Sequence, residues 1–142
     1  AELLCGLEKY SIAEFRKKAS SPKFQTYNTA LVNAFDAATL KQVMAQPARW
    51  GRAVESAIGM HLLTYQHEGF QLYYWREGDQ EVDFIVRHHN KIVALEVKTG
   101  NEKRSGMNQF IKNFHPHNSY LIGDGGIPWQ QFLQMHPKEL FS

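Results

Sequence analysis

Residues 91 to 98 read KIVALEVK, and this octapeptide narrows the possible folds more than any other stretch of the chain. Ile92, Val93, Ala94, Leu95 and Val97 are apolar at both parities of a strand, whose side chains alternate between opposite faces. A strand that is apolar on both sides needs cover on both sides. The pattern therefore predicts an α/β architecture, with a central sheet flanked by helices. Two charges interrupt the run at its end. Glu96 and Lys98 stand two residues apart and so point to one face, while Val97 points to the other.

Two more strand candidates come just before it. QLYYWR at 71 to 76 and EVDFIVRH at 81 to 88 are rich in β-branched and aromatic residues, and Gly78 with Asp79 and His89 with Asn90 mark the turns. Ahead of this meander, Pro47 suits the first turn of a helix. Helical spacing continues to about His67 through Trp50, Val54, Ala57, Ile58 and His61, and Gly69 is the expected stop. After the meander come a polar loop, GNEKRSG at 100 to 106, the helix MNQFIKNF, and a strand SYLIG at 119 to 123 that ends at Asp124, Gly125, Gly126 and Pro128. An amphipathic helix around Trp129 to Met135 closes the order helix, three strands, helix, strand, helix. Upstream, residues 8 to 19 read as helical, Ser20, Ser21 and Pro22 as a break, Phe24 to Tyr27 as a short strand, and the stretches from about Asn28 and from Asp36 as helical.

With 142 residues, 43% of them hydrophobic, the chain fits one main globular domain. A formal charge of +2 neither demands nor excludes a nucleic-acid partner. The single cysteine, Cys5, cannot form an internal disulfide, and no Cys/His spacing suits zinc, which favours a reducing, cytoplasmic setting. No leader-like segment or apolar run of about 18 residues predicts a membrane partner. Without a GxxxxGK[ST] loop, nucleotide hydrolysis by this chain itself is not expected. The opening AELLCGLEKY, which lacks a methionine, suggests a piece of something longer.

The chemistry gathers around KIVALEVK. Asp83 interrupts the apolar VDFIV, and a hairpin through residues 88 to 90 would bring it to Glu96. Glu55 shares a helix face with Gly51, Ile58 and Gly59, a small apolar surface that suits close approach to a sheet. Three carboxylates around one point suit a hard divalent cation, magnesium or manganese, and the Val97 carbonyl could add a ligand. Such a cation can polarise a phosphodiester, and Lys98 has the chemistry to orient water and offset developing charge. Lys98, Lys103, Arg104 and Lys112, with Gln109, would suit a phosphate backbone. Plainer readings stand beside these: an exposed strand-end pair for Glu96 and Lys98, an edge carboxylate for Asp83, and solvated residues for Glu55, Gln109 and the basic loop. Tyr73, Tyr74, Trp75 and Arg76 could stack on unpaired bases, but core packing is the better account of at least half of them. The histidines at 88, 89, 115 and 117 read as surface residues.

A helical glutamate followed by VDFIV and EVK resembles the PD-(D/E)xK nuclease superfamily, which includes archaeal Holliday-junction resolvases and restriction enzymes. The resemblance implies a restriction-endonuclease-like core: helix, three-stranded meander, helix and strand around a mixed sheet. The superfamily's acidic ligands fall on Asp83 and Glu96, its lysine on Lys98 and its helical glutamate on Glu55, while Val82 stands where the motif's proline would be. More narrowly, GRAVESAIGMHLL, LYYWREGDQEVDFIV, KIVALEVKTG and SYLIGDGGIPW look like the domain of unknown function found C-terminal to the ATPase module of bacterial and archaeal AAA ATPases. By that resemblance residues 1 to 22 are the tail of a preceding winged-helix and ATPase region, and 23 to 142 are the nuclease-like domain. The implied partners are DNA, the ATPase module and a second copy in a homodimer. The implied activity is magnesium-dependent cleavage of DNA, and the alternative is an inactive nuclease fold that binds DNA or protein.

Overall fold

In the computed structural model, the described residues are 4–11, 23–26, 40–100 and 105–142. Strands β1 (Leu4–Lys9) and β2 (Lys23–Thr26) lead to helices α1 (Leu40–Met44) and α2 (Pro47–Leu63). Strands β3 (Phe70–Glu77), β4 (Gln80–His88) and β5 (Lys91–Lys98) follow, then helix α3 (Met107–Phe114), strand β6 (Asn118–Gly123) and the short helix α4 (Trp129–Phe132). Single 3-10 turns cover Gln66–Glu68 and Pro137–Phe141. The strands form one mixed sheet in the order β2-β1-β3-β4-β5-β6. The meander β3-β4-β5 is antiparallel, while β1 joins β3 and β6 joins β5 in parallel.

The α/β class follows from two apolar layers. On one side of the sheet, Val54, Ile58, Leu62 and Leu63 of α2 pack on Leu72, Tyr74, Phe84, Val86, Val93 and Leu95. On the other, Phe110 of α3 packs with Trp75, Val82, Ile85 and Ala94. The alternation of Val93 and Leu95 against Ala94 between the two clusters is the two-sided burial that KIVALEVK predicts. Among the described residues no helix is long and apolar enough to cross a membrane.

The meander, α2, α3 and β6 lie close to where the sequence puts them. The expected helix over 8 to 19 does not begin at residue 8, because Glu8 and Lys9 belong to β1 and pair with Tyr73 and Tyr74. Residues 4 to 9 thus form a strand of the sheet, with Leu7 in the core. Residues 12 to 19, the break at 20 to 22 and the helical stretches from Asn28 and Asp36 up to residue 39 lie outside the described residues. The expected last helix is shorter and ends at Phe132. The helix from Pro47 also ends early, at Leu63, and Gly69 stops the following 3-10 turn with a left-handed φ of 86°.

Candidate functional site

A defect in the sheet places the first acidic residue. Tyr73 pairs with Ile85, but Trp75 pairs with Val82, so Asp83 and Phe84 together face Tyr74 across the ladder. This is a β-bulge, and a bulge re-aims side chains. Val82 and Ile85 lie in the α3-side core and Phe84 in the α2-side core, while Asp83, beside Phe84, is turned towards a cation shared with α2. Strict alternation would have put Asp83 with Ile85.

The second feature is a fork. Antiparallel pairing of β4 with β5 runs from His88 and Lys91 to Phe84 and Leu95. Beyond that point the start of β4 bridges to Ser105 through Glu81, and the end of β5 continues its pairing with β6. Asp83 fills the mouth of the fork. It is 3% exposed, and its Oδ2 accepts a 2.9 Å hydrogen bond from the Val97 N–H, which stands beyond the last backbone pair.

On the α2 side, the carboxylates meet a lysine. The ammonium of Lys23, on β2, lies 2.6 Å from Glu55 Oε1, 2.9 Å from Glu81 Oε1 and 3.8 Å from Asp83 Oδ1. It also stands 5.8 Å from the centre of the Phe84 ring. Burial pulls the Lys23 pKa down, but the charges of Glu55 and Asp83 and hydrogen bonds to Glu55 and Glu81 outweigh it, so the pKa is raised. For Glu81, burial pushes the carboxyl up. Hydrogen bonds from Lys23 and Arg76, and the charges of both, outweigh that push and hold it below the ordinary carboxylate value. Arg76 Nε donates to Glu81 at 3.1 Å, and its terminal nitrogen donates to the same oxygen. The helix reaches the sheet closely here. A Cβ added at Gly51 would lie 2.8 Å from Thr99 Oγ1, just past the end of β5.

Glu96 faces the other way. Leu95 and Val97 pack on the α2-side core, so Glu96 between them points to the α3 side, where it accepts a hydrogen bond from the Ser105 hydroxyl. Glu96 and Lys98 line an open groove of about 400 Å³ together with Ser105, Met107, Ser119 and Leu121. Lys98 and Lys112 are exposed, and Gln109 donates to Asn113 on its own helix. Lys103 and Arg104 lie outside the described residues. Trp75 and Tyr74 are buried, and Arg76 pairs with Glu81, so the aromatic stretch serves the core. His88 is half-buried and stacks on Phe70 at 4.1 Å, a packing role that its surface reading missed.

The structure therefore joins Glu55 with Asp83 and sets Glu96 with Lys98 on the adjoining arm of the fork. The sequence reading did not find Lys23 or Glu81. The signal for Glu81 was its spacing in EVDF, two residues before Asp83, whereas Lys23 carried none because its partners lie far along the chain. The donors on the α2 side are carboxylate oxygens, the ligand type that suits a hard divalent cation, but an ammonium stands in the middle of them. Spread around that ammonium, no three ligating side chains among the described residues stand close enough together to hold a metal ion.

No curated protein and no solved structure matches the chain. A family model described as a domain of unknown function, DUF4143, matches residues 50–131. The matched stretch is more than half of the chain and runs from the helix of Glu55 through the fork and β6 into α4. The chain belongs to the DUF4143 family.

Proposed function

We propose that this chain is a nuclease-like module that hydrolyses phosphodiester bonds of DNA with magnesium or manganese, attached to the ATPase module of a longer protein. One observation carries the reading. A helix glutamate, Glu55, and a strand aspartate, Asp83, meet around one cation at the fork whose other arm ends in Glu96, Val97 and Lys98. The helix, meander, helix and strand around a mixed sheet are similar to a restriction-endonuclease-like core. In this reading Asp83 and Glu55 would hold the metal from the α2 side, and Glu96 would have to turn from its Ser105 partner on the α3 side to join them, with the Val97 carbonyl as a further ligand. The metal, when bound, supplies Lewis-acid polarisation of the phosphodiester and a more acidic water. Lys98, exposed at the end of β5, offsets negative charge on the attacked phosphate, and Lys112, Gln109, Lys103 and Arg104 contact the DNA backbone. A homodimer of such modules would present two sites to one duplex. Cleavage that Asp83→Ala and Lys98→Ala abolish while both variants stay folded would support the reading, and cleavage that survives both would refute it.

The Lys23 ammonium favours a second reading, in which the same fold binds DNA or a partner protein without cutting. A site already partly neutralised by its own lysine, and by Arg76 at Glu81, has less call for a metal. That reading predicts DNA binding that persists in Lys98→Ala with no cleavage by the wild type.

A further inference from the structure

We propose that the groove on the α3 face of the sheet, between Glu96 and Lys98 of β5, Ser119 and Leu121 of β6 and Met107 at the start of α3, seats one unpaired nucleotide of a DNA strand. The proposal deepens the phosphodiester-cutting reading above by naming the form of DNA that reaches Lys98.

Three observations carry it. First, the groove holds a cation without a partner. Lys98 is exposed, stands opposite Gly123, which puts no side chain beside it, and makes no ion pair among the described residues. A free ammonium at the end of a groove of about 400 Å³, the size of a site for one small ligand, suits a single phosphate. Second, the charge reverses further along the same face. Glu96 lies beside Leu121, two residues or about 7 Å from Lys98 along β5. A carboxylate there repels phosphate, so the groove cannot follow a run of phosphates as a duplex backbone would require. It can instead accept a hydrogen bond from an N–H on the edge of a base, because an ionised carboxylate has acceptor sites beyond the one that Ser105 fills. Third, the remaining walls are apolar. Met107 and Leu121 are half-buried, and a methionine thioether packs well against an aromatic ring. Only a base that is out of the duplex stack has a face to lay on them.

Charge, size and apolar walls together select one nucleotide, with its phosphate at Lys98, its base against Met107 and Leu121, and an edge of the base at Glu96. Ser119, beyond Leu121 on the edge strand, is exposed and leaves that end of the groove open. The seating belongs to the protein without metal, in which Glu96 stays with Ser105. The phosphate at Lys98 is then the one attacked in the reading above.

The test is fluorescence anisotropy in chelator with a labelled single strand of DNA, a duplex of the same length, and a deoxynucleoside monophosphate as competitor. The protein is the 142-residue chain as wild type, Ser119→Trp and Lys98→Ala. The expected result is a single strand bound at least tenfold more tightly than the duplex. Ser119→Trp, which fills the groove from an exposed position, should weaken single-strand binding at least tenfold while melting near the wild-type temperature. Lys98→Ala should lower the slope of log affinity against log salt by about 0.7, the loss of one phosphate contact. A duplex bound as tightly as the single strand, undiminished binding by folded Ser119→Trp, or no binding of either DNA overturns the proposal. A monophosphate that binds as tightly as the strand overturns it too. The comparison of strand with duplex uses the wild type alone, so it decides even where Ser119→Trp does not fold. Cutting with manganese is read separately. Single-strand binding that Ser119→Trp weakens, with no cutting of any DNA, upholds the nucleotide seat and overturns the phosphodiesterase, whereas cutting without the strand preference does the reverse.

Discussion

Replacing Asp83 separates what its hydrogen bond contributes from what its charge contributes. In Asp83→Ala the Val97 N–H loses its 2.9 Å acceptor at a position that is 3% exposed, and an orphaned buried donor costs about 1–3 kcal/mol. The charge contributes far less. Attraction to Lys23 at 3.8 Å is lost, but repulsion from Glu55 and Glu81, which hold the same ammonium more closely, is relieved. With a small allowance for the lost packing of the side chain, Asp83→Ala should destabilise by about 2–3 kcal/mol. Asp83→Asn keeps an oxygen for the Val97 N–H and should lose less than about 1 kcal/mol. At about 3 °C per kcal/mol for a chain of this size, thermal melting should fall by about 6–9 °C for the alanine and less than about 3 °C for the asparagine. Equal losses in the two variants would refute the reasoning, since charge rather than the bond across the fork would then hold the strands.

Other consequences follow from the same contacts. The Glu81 pKa is held below its ordinary value of 4.5, so its pairing adds stability that is present above that pH and lost as pH falls through the lower, folded-state value. Acid unfolding should begin below about pH 4.5 and be less steep in Glu81→Gln, and an identical acid limb in the variant would contradict the pairing. For Lys23 the sign is opposite. Its raised pKa adds stability that is present below 10.5 and lost only as pH rises through the higher folded-state value, so Lys23→Gln should be less stable than the wild type at neutral pH. Gly123 has a φ of +107°, and a Cβ there would lie 2.0 Å from the Lys98 carbonyl oxygen. Gly123→Ala should cost more than about 2 kcal/mol in urea unfolding, and a neutral effect would contradict the closeness of β5 and β6. Trp75, 1% exposed and edge-on to Phe110, should cost about 3–5 kcal/mol as alanine, whereas a base-stacking surface residue would show little change in stability.

The sheet was legible because its strands carry strong local signals. VDFIV and IVALEV can be buried only between two layers, and the turns at Gly78 and His89 fix the meander. Glu55 was legible from its small, apolar helix face, which does approach the end of β5 at Gly51 and Thr99. The orientation of Asp83 was not, because a bulge depends on how β3 and β4 pair rather than on either strand alone. Glu96 and Lys98 share a face as alternation requires. That this is the α3 face follows from Leu95 and Val97 being committed to the α2-side core. Lys23 was hidden because its three acidic partners lie at residues 55, 81 and 83, beyond the reach of any spacing rule. Residues 8 and 9, the end of β1, were misread because Glu8 and Lys9 look helical in isolation, and only pairing with Tyr73 and Tyr74 makes them extended.

The most direct measurement is cleavage of end-labelled branched, single-stranded and duplex DNA by the wild type, Asp83→Asn and Lys98→Ala, each with manganese and with chelator. The account predicts manganese-dependent cutting of at least one DNA form by the wild type, lost in Asp83→Asn and in Lys98→Ala. Intact DNA in every form with the folded wild type and manganese would contradict a phosphodiesterase.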